Sequence, residues 1–270
     1  MPPLALSVVI PAYNEAARIG ATVDAVAGYL GPRCVFDVLV VDDGSTDGTA
    51  DAAQAAAARH PEACLIRLRS HRGKGAAVRE GFLQAEGASV CFIDADLAVP
   101  VDEMETLLHV LEAEGCDVGI ASRALPASTV VAGPGLVRQA LSPVFNALVR
   151  ALFGLPFHDT QCGFKGFRRE AARALAERAR IDGFAFDVEL LLLADRLGFR
   201  IAEFPVRVEH RRSSSVRLMA QAGPILADLW RIRSRLRSGA YRLPPQRPAQ
   251  DAGAASTAAP AAPGRSTAAP

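Results

Sequence analysis

Asp94-Ala95-Asp96 closes the apolar run Ser89-Val90-Cys91-Phe92-Ile93. Two carboxylates at i and i+2 on a strand end project into the crevice where open α/β sheets bind ligands. Their oxygens suit hard divalent cations such as Mg²⁺ or Mn²⁺, which commonly bridge to substrate phosphates. The simplest chemistry for the triplet is metal-assisted handling of a nucleotide phosphate, although acidic residues also cap helices. Two other strand ends carry polar turns, Pro11-Ala12-Tyr13-Asn14-Glu15 and Asp42-Asp43-Gly44-Ser45-Thr46-Asp47. A flat base can lie on the first, and Asp43 can accept from a base N–H or a ribose hydroxyl. Asp, Gly and Ser also build ordinary turns. His71-Arg72-Gly73-Lys74-Gly75 precedes a helix start. Small residues there let backbone N–H groups approach a phosphate, and Lys74 or Arg72 adds charge. A plain turn has the same composition. Neither a Walker A spacing nor a Gly-x-Gly-x-x-Gly after the first strand is present, which argues against a P-loop or a Rossmann dehydrogenase.

The elements that must position these residues alternate through the first half. Strands are expected at 4–10 (stopping at Pro11), 36–41, 64–68, 89–93 and 117–121. Helices are expected from Asn14-Glu15 to about Tyr29, from Thr46 or Asp47 to Arg59, and over 75–85 and 100–114. Such repetition implies a mostly parallel sheet covered on both faces, with the three polar turns converging on one edge. The second half is less regular. It reads as a helical apolar segment 133–153 interrupted by Pro143, a polar Gly-rich loop 158–167, and an apolar helix 186–197. A strand 201–208 and an amphipathic helix 223–237 with Trp230 and several arginines follow. Beyond about Pro244 the composition of Ala, Pro, Ser, Thr and Gly is that of a disordered tail.

A net charge of +1 gives no global drive toward nucleic acid. The five cysteines include no Cys-x-x-Cys pair, which favours a reducing compartment and argues against zinc. Cys64 and Cys91 lie in apolar runs and are expected to be buried. The start lacks signal-peptide form, and no run reaches the roughly 18 apolar residues of a membrane span. The expectation is a cytoplasmic protein.

Taken in order, Pro-Ala-Tyr-Asn-Glu, Val-Val-Asp-Asp-Gly-Ser-Thr-Asp-Gly-Thr, Arg-Gly-Lys-Gly-Ala-Ala and Asp-Ala-Asp resemble the GT-A domain of family-two inverting glycosyltransferases. The segments Asp159-Thr160-Gln161-Cys162-Gly163-Phe164-Lys165 and Phe186-Asp187-Val188-Glu189-Leu190-Leu191 are similar to the branch that contains the dolichyl-phosphate β-glucosyltransferases and dolichol-phosphate mannose synthases. The likeness spans roughly residues 6–217. It implies an α/β GT-A fold: a mostly parallel central sheet with helices on both faces, plus the C-terminal amphipathic helix. The domain would cover 1–243, with a nucleotide-sugar half about 4–122, an acceptor half about 123–243, and the tail at 244–270.

The activity implied is transfer of a hexose from a nucleotide sugar to a polyprenyl or dolichyl phosphate. The expected donor is UDP-glucose, with GDP-mannose as its rival. The relatives' membrane anchors have no counterpart in this sequence, so a soluble acceptor stays open. A non-catalytic nucleotide-sugar-binding scaffold is the reading from a different class, and the intact set Asp94, Asp96, Arg138 and Lys165 argues against it. A sugar-phosphate nucleotidyltransferase would want a basic Gly-rich loop where Tyr13-Asn14-Glu15 stands.

Residue by residue, the resemblance implies that Asp96 holds the Mg²⁺ or Mn²⁺ on the donor diphosphate. Asp94 would help position that metal or contact the ribose or sugar. Pro11, Tyr13, Glu15 and Asp43 match the nucleotide pocket, with Lys74 at its rim. Arg123, Arg138 and Ser142 would meet the acceptor phosphate; the last two lie four residues apart and share a helical face. Arg138 also reads as a solvated helix charge. Arg211, Arg212 and the loop through Ser215 to Arg217 would close over the diphosphate, while Asp159, Gln161 and Lys165 shape the sugar pocket. Glu189 is structural or catalytic, because a buried carboxylate must be paired. The nucleophile is an anionic phosphate oxygen, so no strong general base is required. A polyprenyl acceptor implies a peripheral position at the cytoplasmic face of a membrane. Val144, Phe145, Leu148, Leu152 and Phe153 could rest in the interface or form an ordinary core helix. The Trp230 helix with its arginines suits an anionic surface.

Overall fold

The computed structural model describes residues 4–131, 136–209 and 215–241, and for 136–141 and 215–222 the backbone alone. The expected tail at 244–270 lies outside the described residues.

Seven strands form the central sheet: β1 Leu6–Ala12, β2 Phe36–Asp42, β3 Ala63–Arg67, β4 Ser89–Ile93, β5 Val118–Ser122, β7 Phe164–Arg168 and β8 Ile201–Pro205. Their spatial order is β3-β2-β1-β4-β7-β5-β8. All pair in parallel except β7, which runs antiparallel to both β4 and β5. The mostly parallel sheet read from the alternation is therefore present, with one reversed strand inside it. Two short strands, β6 Thr129–Val131 and β9 Arg207–Glu209, make a separate parallel pair. The helices are α1 Ile19–Leu30, α2 Thr49–Arg59, α3 Lys74–Gln84, α4 Met104–Glu112, α5 Leu136–Phe153, α6 Arg169–Arg178, α7 Phe186–Leu197 and α8 Ser215–Arg237.

Alternation along β1 divides the core. Leu6, Val8 and Ile10 pack with α1 and α4 on one face, and Val9 packs with α3, α6 and α7 on the other. Every residue of β4 and β5 is buried, which is why both read as unbroken apolar runs.

Several local expectations are corrected. β1 does not stop at Pro11 but continues to Ala12, opposite Asp42. Ala12 O accepts from Asp43 N, so its polar groups face β2 and those of Pro11 face the β4 side. Pairing with β4 has ended by Val9, so the missing proline N–H breaks no ladder bond. α1 starts at Ile19 rather than Asn14, because Asn14 takes φ +56° and binds across the site. Its N donates to Ser45 Oγ and its Oδ1 accepts from Thr46 N, both at 3.0 Å. α2 begins at Thr49, after Gly48. The 100–114 segment is a 3₁₀ turn Val101–Glu103 followed by the shorter α4. The expected loop 158–167 ends instead in β7, and α6 after it was not foreseen. The expected strand 201–208 is two strands, and α8 begins eight residues before Gly223. Cys91 is buried as expected, but Cys64 is exposed because β3 is an edge strand.

Glu189 on α7 resolves as a structural carboxylate. It has no exposed surface and accepts from Arg180 N and Ile181 N at 2.8 Å and from Tyr241 Oη at 2.6 Å. Burial pushes its pKa up, and these donors oppose that shift. The Tyr241 hydroxyl thus ties the turn after α8 to the core. Replacing it by Tyr241→Phe leaves a buried carboxylate short of a donor and should lower stability by about 1–3 kcal/mol. The check is a urea melt whose midpoint falls at unchanged slope.

Candidate active site

The ends of β1, β2 and β4 meet at one sheet edge, as the parallel pairing requires. β2 delivers Asp43, which is 2% exposed. Its Oδ1 accepts from Arg72 N at 2.8 Å and its Oδ2 from Gly73 N at 2.7 Å. The loop between β3 and α3 is thereby gripped by its backbone. Gly44 makes this approach possible: it has φ +68°, and a Cβ there would lie 2.5 Å from Ser70 C. His71 Nδ1 sits 2.8 Å from Asp43 Oδ2, and its ring stacks on Tyr13 with centroids 3.7 Å apart. Glu15 is paired with Arg18 at 2.9 Å. Pro11 is half-buried within β1.

Lys74 opens α3 directly after Gly73, whose φ of +122° no L side chain readily adopts. The Lys74 Nζ donates to Asp94 Oδ1 at 2.5 Å. Burial works against its charge, but Asp94, Asp187 and Asp96 outweigh that, so its pKa lies above the ordinary lysine value. Asp96 Oδ1 accepts from Ala98 N at 3.0 Å, and Leu97 between them takes φ +49°. Such a backbone conformation is uncommon outside glycine and clusters at functional sites. Gly163 packs flat against the Asp94 carboxylate, where any Cβ would clash.

A second group of ion pairs is built on the end of β5. Arg123 grips Asp159 with two side-chain bonds, Nε to Oδ2 at 2.6 Å and Nη2 to Oδ1 at 2.8 Å. Burial alone would raise the Asp159 pKa, but the Arg123 guanidinium holds it below the usual carboxylate value. Glu203 on β8 accepts from His158 N and Asp159 N and so steadies the loop. Asn146 on α5 accepts from both Thr160 N and Thr160 Oγ1. Gln161 is half-buried, with its N directed at Asp159 Oδ1. Ser142 is half-buried on α5, and its carbonyl accepts from Asn146 Nδ2. The side chains of Arg138 and Ser215, and all of Arg211 and Arg212, lie outside the described residues.

Lys165 has no exposed surface. Its Nζ donates to Asp187 Oδ1 and to Cys162 O, both at 2.6 Å. It reaches a sugar pocket only through what it holds in place. Burial pushes the Asp187 carboxyl up, and the ammonium groups of Lys165 and Lys74 pull it back only in part. The Phe92 ring lies 5.3 Å from the Lys165 ammonium and 5.4 Å from that of Lys74.

Sequence reasoning gave no role to Asp187, Asn146, Glu203 or His71. The signal for Asp187 was available, since an Asp inside an apolar helix must find a partner. The other three act through contacts at sequence separations that no local pattern reveals.

The pieces place a cluster of carboxylates and cations at the strand ends of an open α/β sheet. Residues 7–176 match the profile of Glycosyl transferase family 2, and the chain belongs to that family. It is an enzyme, a glycosyltransferase of GT-A fold. It is 36% identical to dolichyl-phosphate β-glucosyltransferase of Drosophila melanogaster, over 90% of this chain and 78% of that protein. The Homo sapiens enzyme of the same name is 35% identical over 88% of this chain and 78% of its own length. Among solved structures, glucosyl-3-phosphoglycerate synthase of Mycobacterium tuberculosis in complex with UDP superposes with a TM-score of 0.66 at 25% identity, covering 86% of this chain and 80% of that one.

The Lys165–Asp187 pair generates a stability prediction. Asp187→Asn leaves a buried ammonium without its counter-charge and should cost about 3–5 kcal/mol. The double variant Lys165→Met/Asp187→Leu, which removes both charges, should recover most of that in urea unfolding. Equal stability of Asp187→Asn and the parent would show that the pair does not hold β7 to α7.

Proposed function

We propose that this enzyme transfers a hexose, glucose from UDP-glucose, to the phosphate of a polyprenol, with Mg²⁺ or Mn²⁺ at Asp94 and Asp96. GDP-mannose is the alternative donor. The observation that carries the reading is the charge arrangement at the end of β4. Lys74, Arg123 and Lys165 each hold one carboxylate, and among the described residues Asp96 has no cationic partner. Asp94 and Asp96 supply the hard oxygen donors that such cations prefer. Among the described residues no group of three or more His, Cys, Asp or Glu side chains could hold a metal ion. A cation at Asp94 and Asp96 would therefore have to take its remaining ligands from phosphate and water. When bound, it neutralises charge on the departing diphosphate.

The names of the relatives support the lipid acceptor, and the UDP complex of the structural neighbour supports a uridine donor. The site chemistry agrees with an anionic nucleophile. Asp94, Asp159 and Asp187 are all ion-paired and Asp96 is assigned to the cation, which leaves none of the four as a strong base, and a phosphate oxygen needs none. In this reading Asp43 and Tyr13 orient the base, and Lys74 faces the diphosphate. Arg123, Arg138 and Ser142 receive the acceptor phosphate.

The protein would work at the cytoplasmic face of a membrane. No helix among the described residues is long and apolar enough to cross one. α5 and α8 pack together, with Arg233 Nη1 donating to Leu152 O at 3.1 Å, and they turn Val144, Leu226 and Trp230 to solvent. Trp230 is 71% exposed and adjoins the exposed Arg231. Apolar anchors beside arginines suit an anionic lipid surface. Of the residues read as possible interface contacts, Phe145, Leu148, Leu152 and Phe153 instead face the core.

The direct test is radiolabel transfer from UDP-glucose and, separately, GDP-mannose to a polyprenyl phosphate, with Mn²⁺ or Mg²⁺ and an EDTA control. Lipid-linked product from UDP-glucose that EDTA abolishes is expected. Asp96→Ala should lower turnover by about 10²-fold or more with an unchanged circular dichroism spectrum. Parental activity in that variant would remove the metal assignment. Vesicle flotation with phosphatidylserine-containing liposomes tests the surface. Trp230→Ala combined with Leu226→Ser should reduce co-flotation about tenfold, and unchanged flotation would place the membrane contact elsewhere.

A further inference from the structure

His71 stands where a ligand would be expected to stand. Its ring lies on Tyr13 with centroids 3.7 Å apart and planes 19° apart, and its Nδ1 is 2.8 Å from Asp43 Oδ2. A flat heterocycle thus covers an aromatic face while one edge nitrogen meets a buried carboxylate. The slot faces solvent: Tyr13 is 40% exposed and the His71 side chain 50% exposed.

The backbone of this loop is fixed without the His71 side chain. Asp43 holds Arg72 N and Gly73 N, and Gly44 leaves room for the Ser70–His71 peptide. On the far side Asp182 accepts from Arg72 Nη2 and Arg79 Nη2, and its carbonyl accepts from Gly75 N. The imidazole has only its stack and its one contact with Asp43. It can rotate away while the loop stays in place.

We propose that His71 is an internal placeholder for the nucleobase, and that it sets the affinity of the base slot. This rests on the reading of the site as a nucleotide pocket. The donor's base enters by displacing the imidazole from Tyr13, so His71 weakens nucleotide binding by the strength of its own contacts. Rotation of His71 frees the acceptor position it occupied on Asp43 Oδ2, while Arg72 N and Gly73 N keep the carboxylate fixed. An N–H on the edge of the incoming base can take that position.

Isothermal titration of the full chain with UDP and with GDP, in EDTA so that no metal contributes, tests this. His71→Ala should bind UDP about 3- to 10-fold tighter than the parent, the size of one aromatic stack. His71→Phe keeps a ring over Tyr13 and should not reproduce that gain. GDP should gain from His71→Ala in the same sense, because its base must displace the same imidazole. Equal or weaker UDP binding by His71→Ala overturns the placeholder, because the imidazole would then be a wall of the pocket or uninvolved. If neither parent nor variant binds either nucleotide, in EDTA or after Mn²⁺ is restored, the nucleotide pocket itself fails and takes this inference with it.

Discussion

A lysine without exposed surface, on the one reversed strand of a parallel sheet, is the constraint around which the site is arranged. Stripping water from an ammonium group is tolerable only against a well-placed counter-charge, and for Lys165 that is Asp187. The pair fixes the start of α7 against β7. Register does the rest: Lys165 lies opposite Phe92 and Phe164 opposite Ile93, so Gly163 must fall beside Asp94. The Phe92 ring lies 5.3 Å from the Lys165 ammonium and 5.4 Å from that of Lys74, which closes on the same Asp94. The orientation of the first carboxylate of the Asp-Ala-Asp triplet is thus set from two sides by contacts that come from distant parts of the chain.

The opposite wall obeys a different rule. There the grip is exerted on backbone rather than on side chains. Asp43 binds two consecutive peptide N–H groups, and glycines at 44 and 73 remove the side chains that would keep the loop away. Such a loop can be rigid in its main chain and still present movable side chains. The deep pairs and the backbone-held loop give the site one fixed half and one adaptable half, which suits a donor that must enter and leave.

The sheet, its ligand-bearing edge and the Asp94, Asp96 and Asp43 ends were legible because each is a local pattern: an apolar run, then a polar turn. β7 was not, because Gly163, Lys165 and Gly166 have loop composition. In place, Lys165 is neutralised by Asp187, and Gly166 is glycine because a Cβ would lie 2.6 Å from Leu107. The start of α1 was misread because Asn14 answers to Ser45 and Thr46, more than thirty residues away, rather than to its neighbours. Cys64 was misjudged because an apolar run does not reveal that its strand lies at the sheet edge. What escaped in each case is a long-range contact that overrides local preference, and these contacts gather at the site.

One such contact joins the two ends of the proposed reaction. Asn146 lies on α5, the helix that turns Val144 outward, and its Oδ1 takes both donors of Thr160. Thr160 follows Asp159, which Arg123 holds in a bidentate grip beside the end of β5. A buried amide with its acceptor filled twice and its Nδ2 donating to Ser142 O has little freedom to turn. A shift of α5 would therefore reach the Arg123–Asp159 pair through Asn146 and through Arg150, whose Nη1 donates to Phe157 O. Under the proposed function, with an acceptor phosphate from a bilayer and a donor from water, those links would keep the two substrates in one frame, as in-line transfer requires.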